Sequence, residues 1–121
     1  MRTFRDLLVW QKAHRLVLDI YRLTRAFPPE ERFGLIPQMR RAAVSIAANV
    51  TEGHQRKSKP EFLRFLDIAH SSLDELKYYL LLTKDLDYGN GSVTHFMSKA
   101  EEVGRMLNGL KAHVRKEVRD D

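Results

Sequence analysis

Arg40, Arg56, Lys57, Lys59 and Arg64 supply most of the positive charge on either side of one short segment, HQRKSK at 54–59. Lysine and arginine on a turn can meet phosphate oxygens, and the free amides at the start of a following helix are further donors. Contacts of this kind carry no base identity, so the chemistry they support is sequence-independent nucleic-acid binding. Arg40 and its neighbour Arg41 point about 100° apart on a helix and cannot serve one flat patch equally. No aromatic stacking platform is read beside the turn, so single-strand or base-specific recognition is not expected. The plainer reading of the same residues is a solvated basic turn.

Other reactive groups are sparse. Arg64 and His70 are six residues apart. The pair is similar to the arginine and histidine of HEPN-type ribonucleases, helical bundles that cleave RNA, usually across a dimer. Six positions on a helix turn the direction by about 120°, so the two do not converge on their own. His14, His54, His70, His95 and His113 show no i, i+4 pairing with one another and no HExxH run. Asp74-Glu75 and Glu101-Glu102 read as solvated helix faces rather than metal ligands. Gly89 and Gly91 form a turn, and no Gly-Lys-Ser/Thr follows them. With no cysteine in the chain, disulfides, thiolate metal sites and thiol nucleophiles are excluded. Neither an enzyme nor a bound cofactor or metal is expected.

The elements that must position these residues are helical. The four prolines fall mostly between segments whose apolar residues step by three and four, and no strand run is present. Helices are expected at about 6–26, 34–52, 59–86 and 92–116. The first carries Val9, Trp10, Ala13, Leu16, Val17, Ile20, Leu23 and Phe27 on one face, and Pro28-Pro29 stops it. Thr3 and Asp6 have capping-box spacing, which would allow a start at Phe4. The second buries Leu35, Ile36, Met39, Ala43, Ile46, Ala47 and Val50, with Pro37 in its first turn and Gly53 as a positive-φ stop. The third opens on Ser58 and Glu61, a second capping-box pair, and buries Phe62, Phe65, Leu66, Ala69, Leu73, Leu76, Leu80 and Thr83. The fourth buries Phe96, Ala100, Val103, Leu107, Leu110 and Val114, and the mixed-charge tail from Arg115 is expected to fray. Gly104 within that helix implies a close helix contact, since glycine there costs about 1 kcal/mol relative to alanine. Short connections after the second and third helices make neighbours antiparallel, so the expected fold is an all-α, up-down-up-down four-helix bundle in a single domain over 1–121.

A chain of 121 residues suits one domain with a modest core. The formal charge of +5 permits a nucleic-acid partner without establishing one. No stretch approaches the roughly 20 apolar residues of a membrane span, and the N-terminus has no signal-type apolar run. Together with the missing cysteines this fits a cytoplasmic protein.

Two helices carry more apolar or small surface than one core face requires. Tyr78, Tyr79, Leu80, Leu81 and Leu82 are consecutive and cover the whole helix circumference. On the second helix, Gln38, Arg41, Ser45, Asn49 and Glu52 form a stripe read as roughly opposite the core, made of mostly short groups that admit another backbone. Glu52 lies on the unfavourable side of a helix dipole, which implies a cationic partner such as Arg40, Arg41 or Arg56. A homo-oligomer is therefore expected, with Arg41, Ser45, Asn49, Glu52, Tyr78, Tyr79 and Leu82 as candidate interface residues.

Several of these stretches also carry a family resemblance. Phe4-Arg5-Asp6-Leu7 with Val9-Trp10-Gln11-Lys12-Ala13, the run Gln38-Met39-Arg40-Arg41-Ala42-Ala43-Val44-Ser45-Ile46, and Asn49-Val50-Thr51-Glu52-Gly53 resemble the bacterial four-helix proteins encoded in intervening sequences of 23S ribosomal RNA genes. Ser58, Glu61-Phe62, Phe65-Leu66, Ile68-Ala69, Ser72-Leu73, Glu75-Leu76 and Leu86-Asp87-Tyr88-Gly89 extend the likeness over about residues 4–110. The resemblance implies a helical bundle assembled as a ring-shaped pentamer. A distant branch of that fold comprises accessory proteins of diversity-generating retroelements, basic pentamers that bind nucleic acid and a reverse transcriptase. This chain is less basic than that role demands.

Overall fold

The computed structural model describes residues 3–120, with side chains described through 118. Four long helices account for most of it: α1 (Leu8–Arg25), α2 (Leu35–His54), α3 (Lys59–Asp85) and α4 (Val93–Asp120). Each packs on its sequence neighbours, and α4 closes the ring against α1. Cross-helix pairs set the directions. Lys12 meets Glu102 while Asp19 meets Lys99, so α1 and α4 run antiparallel. Arg41–Glu75 and Ser45–Ser72 do the same for α2 and α3, and Lys59–Glu117 and Lys111–Asp67 for α3 and α4. The expected up-down-up-down, all-α bundle is the observed one.

The core follows the helical periodicity. Leu16, Ile20, Met39, Ile46, Leu66, Leu73, Leu76, Leu80 and Leu107 are fully buried, each burial being worth about 1.5–3 kcal/mol. Trp10, Val17, Ile36, Phe62 and Phe96 are half-buried at its edge. Two buried polar side chains keep their hydrogen bonds. Thr24 donates to the Ile20 carbonyl at 2.8 Å, and Thr83 to the Tyr79 carbonyl at 2.8 Å.

Helix ends depart from the sequence reading in four places. The Thr3–Asp6 capping box exists, but it caps a single 3₁₀ turn, Phe4–Asp6. Leu7 is then extended and buried, and α1 begins only at Leu8. Gly53 does not stop α2. The helix continues through it to His54, and Gln55 closes it in a right-handed conformation. Gly53 is required for space instead: a Cβ there would lie 2.8 Å from the Phe65 Cβ and 3.3 Å from the Phe62 carbonyl oxygen of α3. The charged tail from Arg115 continues α4, which is helical to Asp120, and Glu117 lies 3.5 Å from Lys59. Finally, α2 is capped by Glu31, whose carboxylate accepts from the Leu35 amide at 3.1 Å. The other oxygen of Glu31 accepts from the Tyr88 hydroxyl at 2.8 Å, which joins the α1–α2 and α3–α4 connections. That bond holds the Tyr88 hydroxyl above its ordinary pKa.

Candidate nucleic-acid interface

The α2–α3 turn lies at one end of the bundle, beside the last turns of α4. Its residues are placed by local rules. Ser58 caps α3 by accepting from the Glu61 amide at 3.3 Å, with Pro60 in the first turn where no amide hydrogen is needed. This fixes Arg56 and Lys57 just ahead of the helix, Lys59 at its first position and Arg64 one turn into it.

The charged residues at this end are unequal in sign. Within 3–8, 52–64 and 113–118, Arg5, Arg56, Lys57, Lys59, Arg64, Arg115 and Lys116 face Asp6, Glu52, Glu61 and Glu117. At the opposite end, within 25–34 and 84–92, Arg25, Arg32 and Lys84 face Glu30, Glu31, Asp85 and Asp87. The bundle is therefore basic at the α2–α3 turn and mildly acidic at the other end.

Four of the five predicted cations come together here and one does not. Arg56 pairs with Glu52 at 3.0 Å, Arg64 with Glu61 at 3.1 Å and Lys59 with Glu117 at 3.5 Å, all with exposed head groups. Lys57 is exposed on the turn itself. Exposed pairs of this kind contribute about 0–1 kcal/mol, so a phosphate can compete for them. Arg40 is committed elsewhere. Its Nε donates to the Thr24 hydroxyl at 2.8 Å, its Nη2 to the Tyr21 carbonyl at 3.3 Å, and its guanidinium lies 4.5 Å from the Tyr21 ring centroid. It ties α2 to α1 and takes no part in the basic turn.

An aromatic group does accompany the turn, contrary to the sequence reading. Phe65 is half-buried rather than part of the core. The Arg56 and Arg64 guanidinium carbons lie 4.7 Å and 4.8 Å from its ring centroid. The helical stripe assigned Phe65 to the core because it follows Phe62 by three. The missed signal was Arg64 immediately before it, with Arg56 nine positions back on the turn.

The polar stripe of α2 is not opposite the core but beside α3. Ser45 shares a hydrogen bond of 2.7 Å with Ser72. Arg41 donates to Gln38 at 2.6 Å and to Glu75 at 3.3 Å, and Glu75 also accepts from the Tyr79 hydroxyl at 2.7 Å. That last bond raises the Tyr79 pKa above its ordinary value. Asn49 donates to the Ser45 carbonyl at 2.8 Å. The short groups do admit a second backbone, and within the chain that backbone is α3. Glu52 finds its expected cation in Arg56, on the same helix end. Of the consecutive Tyr78–Leu82 residues, Tyr78 (59 %) and Leu81 (49 %) are exposed, whereas Tyr79 and Leu82 pack partly on the core.

Arg64 and His70 engage different partners. His70 Nδ1 lies 3.1 Å from the buried Lys111 Nζ, which also pairs with Asp67 at 3.4 Å. Burial, then the neighbouring Lys111 ammonium, lowers the His70 pKa, which favours the neutral ring accepting from Lys111. Among the described residues no cluster of His, Asp or Glu could hold a metal ion, and no helix is long and apolar enough to cross a membrane.

The fold and this end of the molecule define an all-helical bundle with a basic terminal turn. The family model of the 23S rRNA-intervening sequence protein matches residues 5–109, and the chain belongs to that family. The crystal structure of a protein of unknown function from the S23 ribosomal protein family of Bacteroides thetaiotaomicron superposes with a TM-score of 0.77. The two are 23% identical, over 86% of this chain and 98% of the other, which shows a shared fold. No curated protein matches the sequence.

Proposed function

We propose that this protein is a non-catalytic, self-assembling bundle that binds nucleic-acid backbone through its basic end. The observation that carries the reading is the charge inequality between the two ends, with Arg56 and Lys57 on the α2–α3 turn and Lys59 and Arg64 on the first two turns of α3. Each phosphate neutralised releases condensed counterions, so the affinity of such a surface falls steeply with salt. One turn alone would bind weakly. Copies related by symmetry would repeat it and raise the overall affinity without new contacts. Exposed Tyr78 and Leu81 on α3, and Leu18 and Val44 on α1 and α2, supply apolar surface suited to such assembly.

Retention on immobilised RNA and duplex DNA across a salt gradient tests the binding. The parent should elute early at high salt, and Arg56→Glu combined with Lys57→Glu should abolish retention. Unchanged retention of the double variant would remove the basic turn from the reading. Light scattering at micromolar concentration tests assembly. A mass near the 14.1 kDa of one chain would refute it. If Tyr78→Glu with Leu81→Glu leaves a larger mass unaltered, the α3 patch is not the interface.

A further inference from the structure

Arg56, Phe65 and Arg64 form a layered cluster that a phosphate-binding surface alone does not need. Phosphates require mobile cations, and Lys57 and Lys59 already supply them. Arg56 reaches Phe65 from the turn and Arg64 from the adjoining position on α3, and both place the guanidinium within cation–π range of one ring. Two like charges are thereby brought to the same aromatic group. Glu52 and Glu61 offset them only through exposed pairs. The Phe65 Cβ faces Gly53, where a side chain on α2 would collide with it, so the backbones of α2 and α3 fix where this side chain leaves α3. Phe62 performs the ordinary hydrophobic role at this helix start, packing on the core and edge-on to His54. Phe65 is left partly exposed at the basic end of the molecule.

We infer that this end of the bundle is a single-strand site, in which an unpaired base stacks on the Phe65–arginine layer while Arg56, Lys57 and Arg64 hold the adjoining phosphates. The inference rests on the nucleic-acid reading above and deepens it. Unpaired bases expose a π face that aromatic rings and guanidinium planes accept with little regard to sequence. A duplex keeps its bases stacked inside and offers the same turn only phosphates. The site therefore prefers single strands, and the preference comes from Phe65 rather than from the charge.

The test is fluorescence anisotropy with the full chain at fixed salt. The probes are labelled oligouridine and oligothymidine, and RNA and DNA duplexes of the same length. The parent should bind the single strands more tightly than the duplexes, and the two single-stranded probes report whether RNA or DNA is favoured. Phe65→Leu keeps the Cβ against Gly53 and an apolar side chain but has no π face. It should weaken single-strand binding by roughly tenfold, the scale of one base–aromatic stack, and leave duplex binding unchanged. Phe65→Trp should retain the preference. Equal loss on both probe types, or no loss on either, would overturn the single-strand site while leaving backbone binding intact. If the parent binds no probe at all, the underlying reading fails and this inference with it. Unaltered helical circular dichroism and melting of each variant verifies that the binding changes are not losses of fold.

Discussion

Three helical glycines, Gly53 on α2 and Gly104 and Gly109 on α4, provide a quantitative check on how closely the helices approach one another. Glycine to alanine within a helix gains about 1 kcal/mol from backbone propensity alone. At Gly109 a Cβ would meet nothing within 4 Å, so Gly109→Ala should realise that gain. At Gly104 the nearest atom is the Leu73 Cδ2 at 3.2 Å, the end of a flexible side chain, and the gain should be largely offset. At Gly53 the Cβ would lie 2.8 Å from the Phe65 Cβ, an atom fixed to the α3 backbone, and 2.9 Å from the Phe62 Cδ1. Relief there requires the two helices to separate where they are packed. Overpacking of that kind costs about 1–3 kcal/mol, which cancels or exceeds the propensity gain. Gly53→Ala should therefore be destabilising by up to about 2 kcal/mol, a fall in melting temperature of up to roughly 10 °C for a domain of this size. Urea denaturation at constant protein concentration measures all three variants, with an unchanged m-value confirming a common unfolding transition. If Gly53→Ala raises the midpoint as Gly109→Ala does, the close approach of α2 and α3 is wrong. The role given to Gly53 would fall with it.

Three further outcomes follow from buried polar contacts. His70 has its pKa lowered by burial first and by Lys111 second, so the unfolded chain binds a proton there before the folded chain does. The stability it contributes is present above its unfolded value of about 6.5 and is lost as pH falls through the lowered folded value. His70→Gln should flatten that dependence in urea midpoints compared across this range, and an unchanged slope would refute it. Lys111→Met removes the ammonium beside His70, so the ring should titrate at a higher pH when followed by nuclear magnetic resonance. No upward movement would show that Lys111 does not act on the ring. Thr24→Val keeps the buried shape but takes the acceptor from Arg40 Nε and should cost about 1 kcal/mol. The double variant with Arg40→Met would recover part of that loss, and strict additivity would count against the contact.

The amino-acid sequence by itself determined the four helices, their antiparallel order and nearly the whole core. The reason is that an amphipathic helix must bury its apolar stripe, and the stripe is visible as spacings of three and four. The basic turn was legible for the same local reason, since Ser58, Pro60 and Glu61 mark a helix start whatever lies around it. What only the tertiary structure decided was which neighbour each remaining side chain met. Arg40 reads as a surface cation until α1 offers it the Thr24 hydroxyl and the Tyr21 ring. The stripe of Arg41, Ser45 and Asn49 reads as a second face until α3 lies beside it through Ser72 and Glu75. Gly53 reads as a stop until Phe65 and Phe62 occupy the space its side chain would fill. Phe65 itself reads as core until Leu66 and Ala69 take the buried positions and leave it partly exposed beside two arginines. Periodicity fixes which way a residue points on its own helix. The partner it meets there depends on packing between segments distant in sequence, which no local spacing encodes.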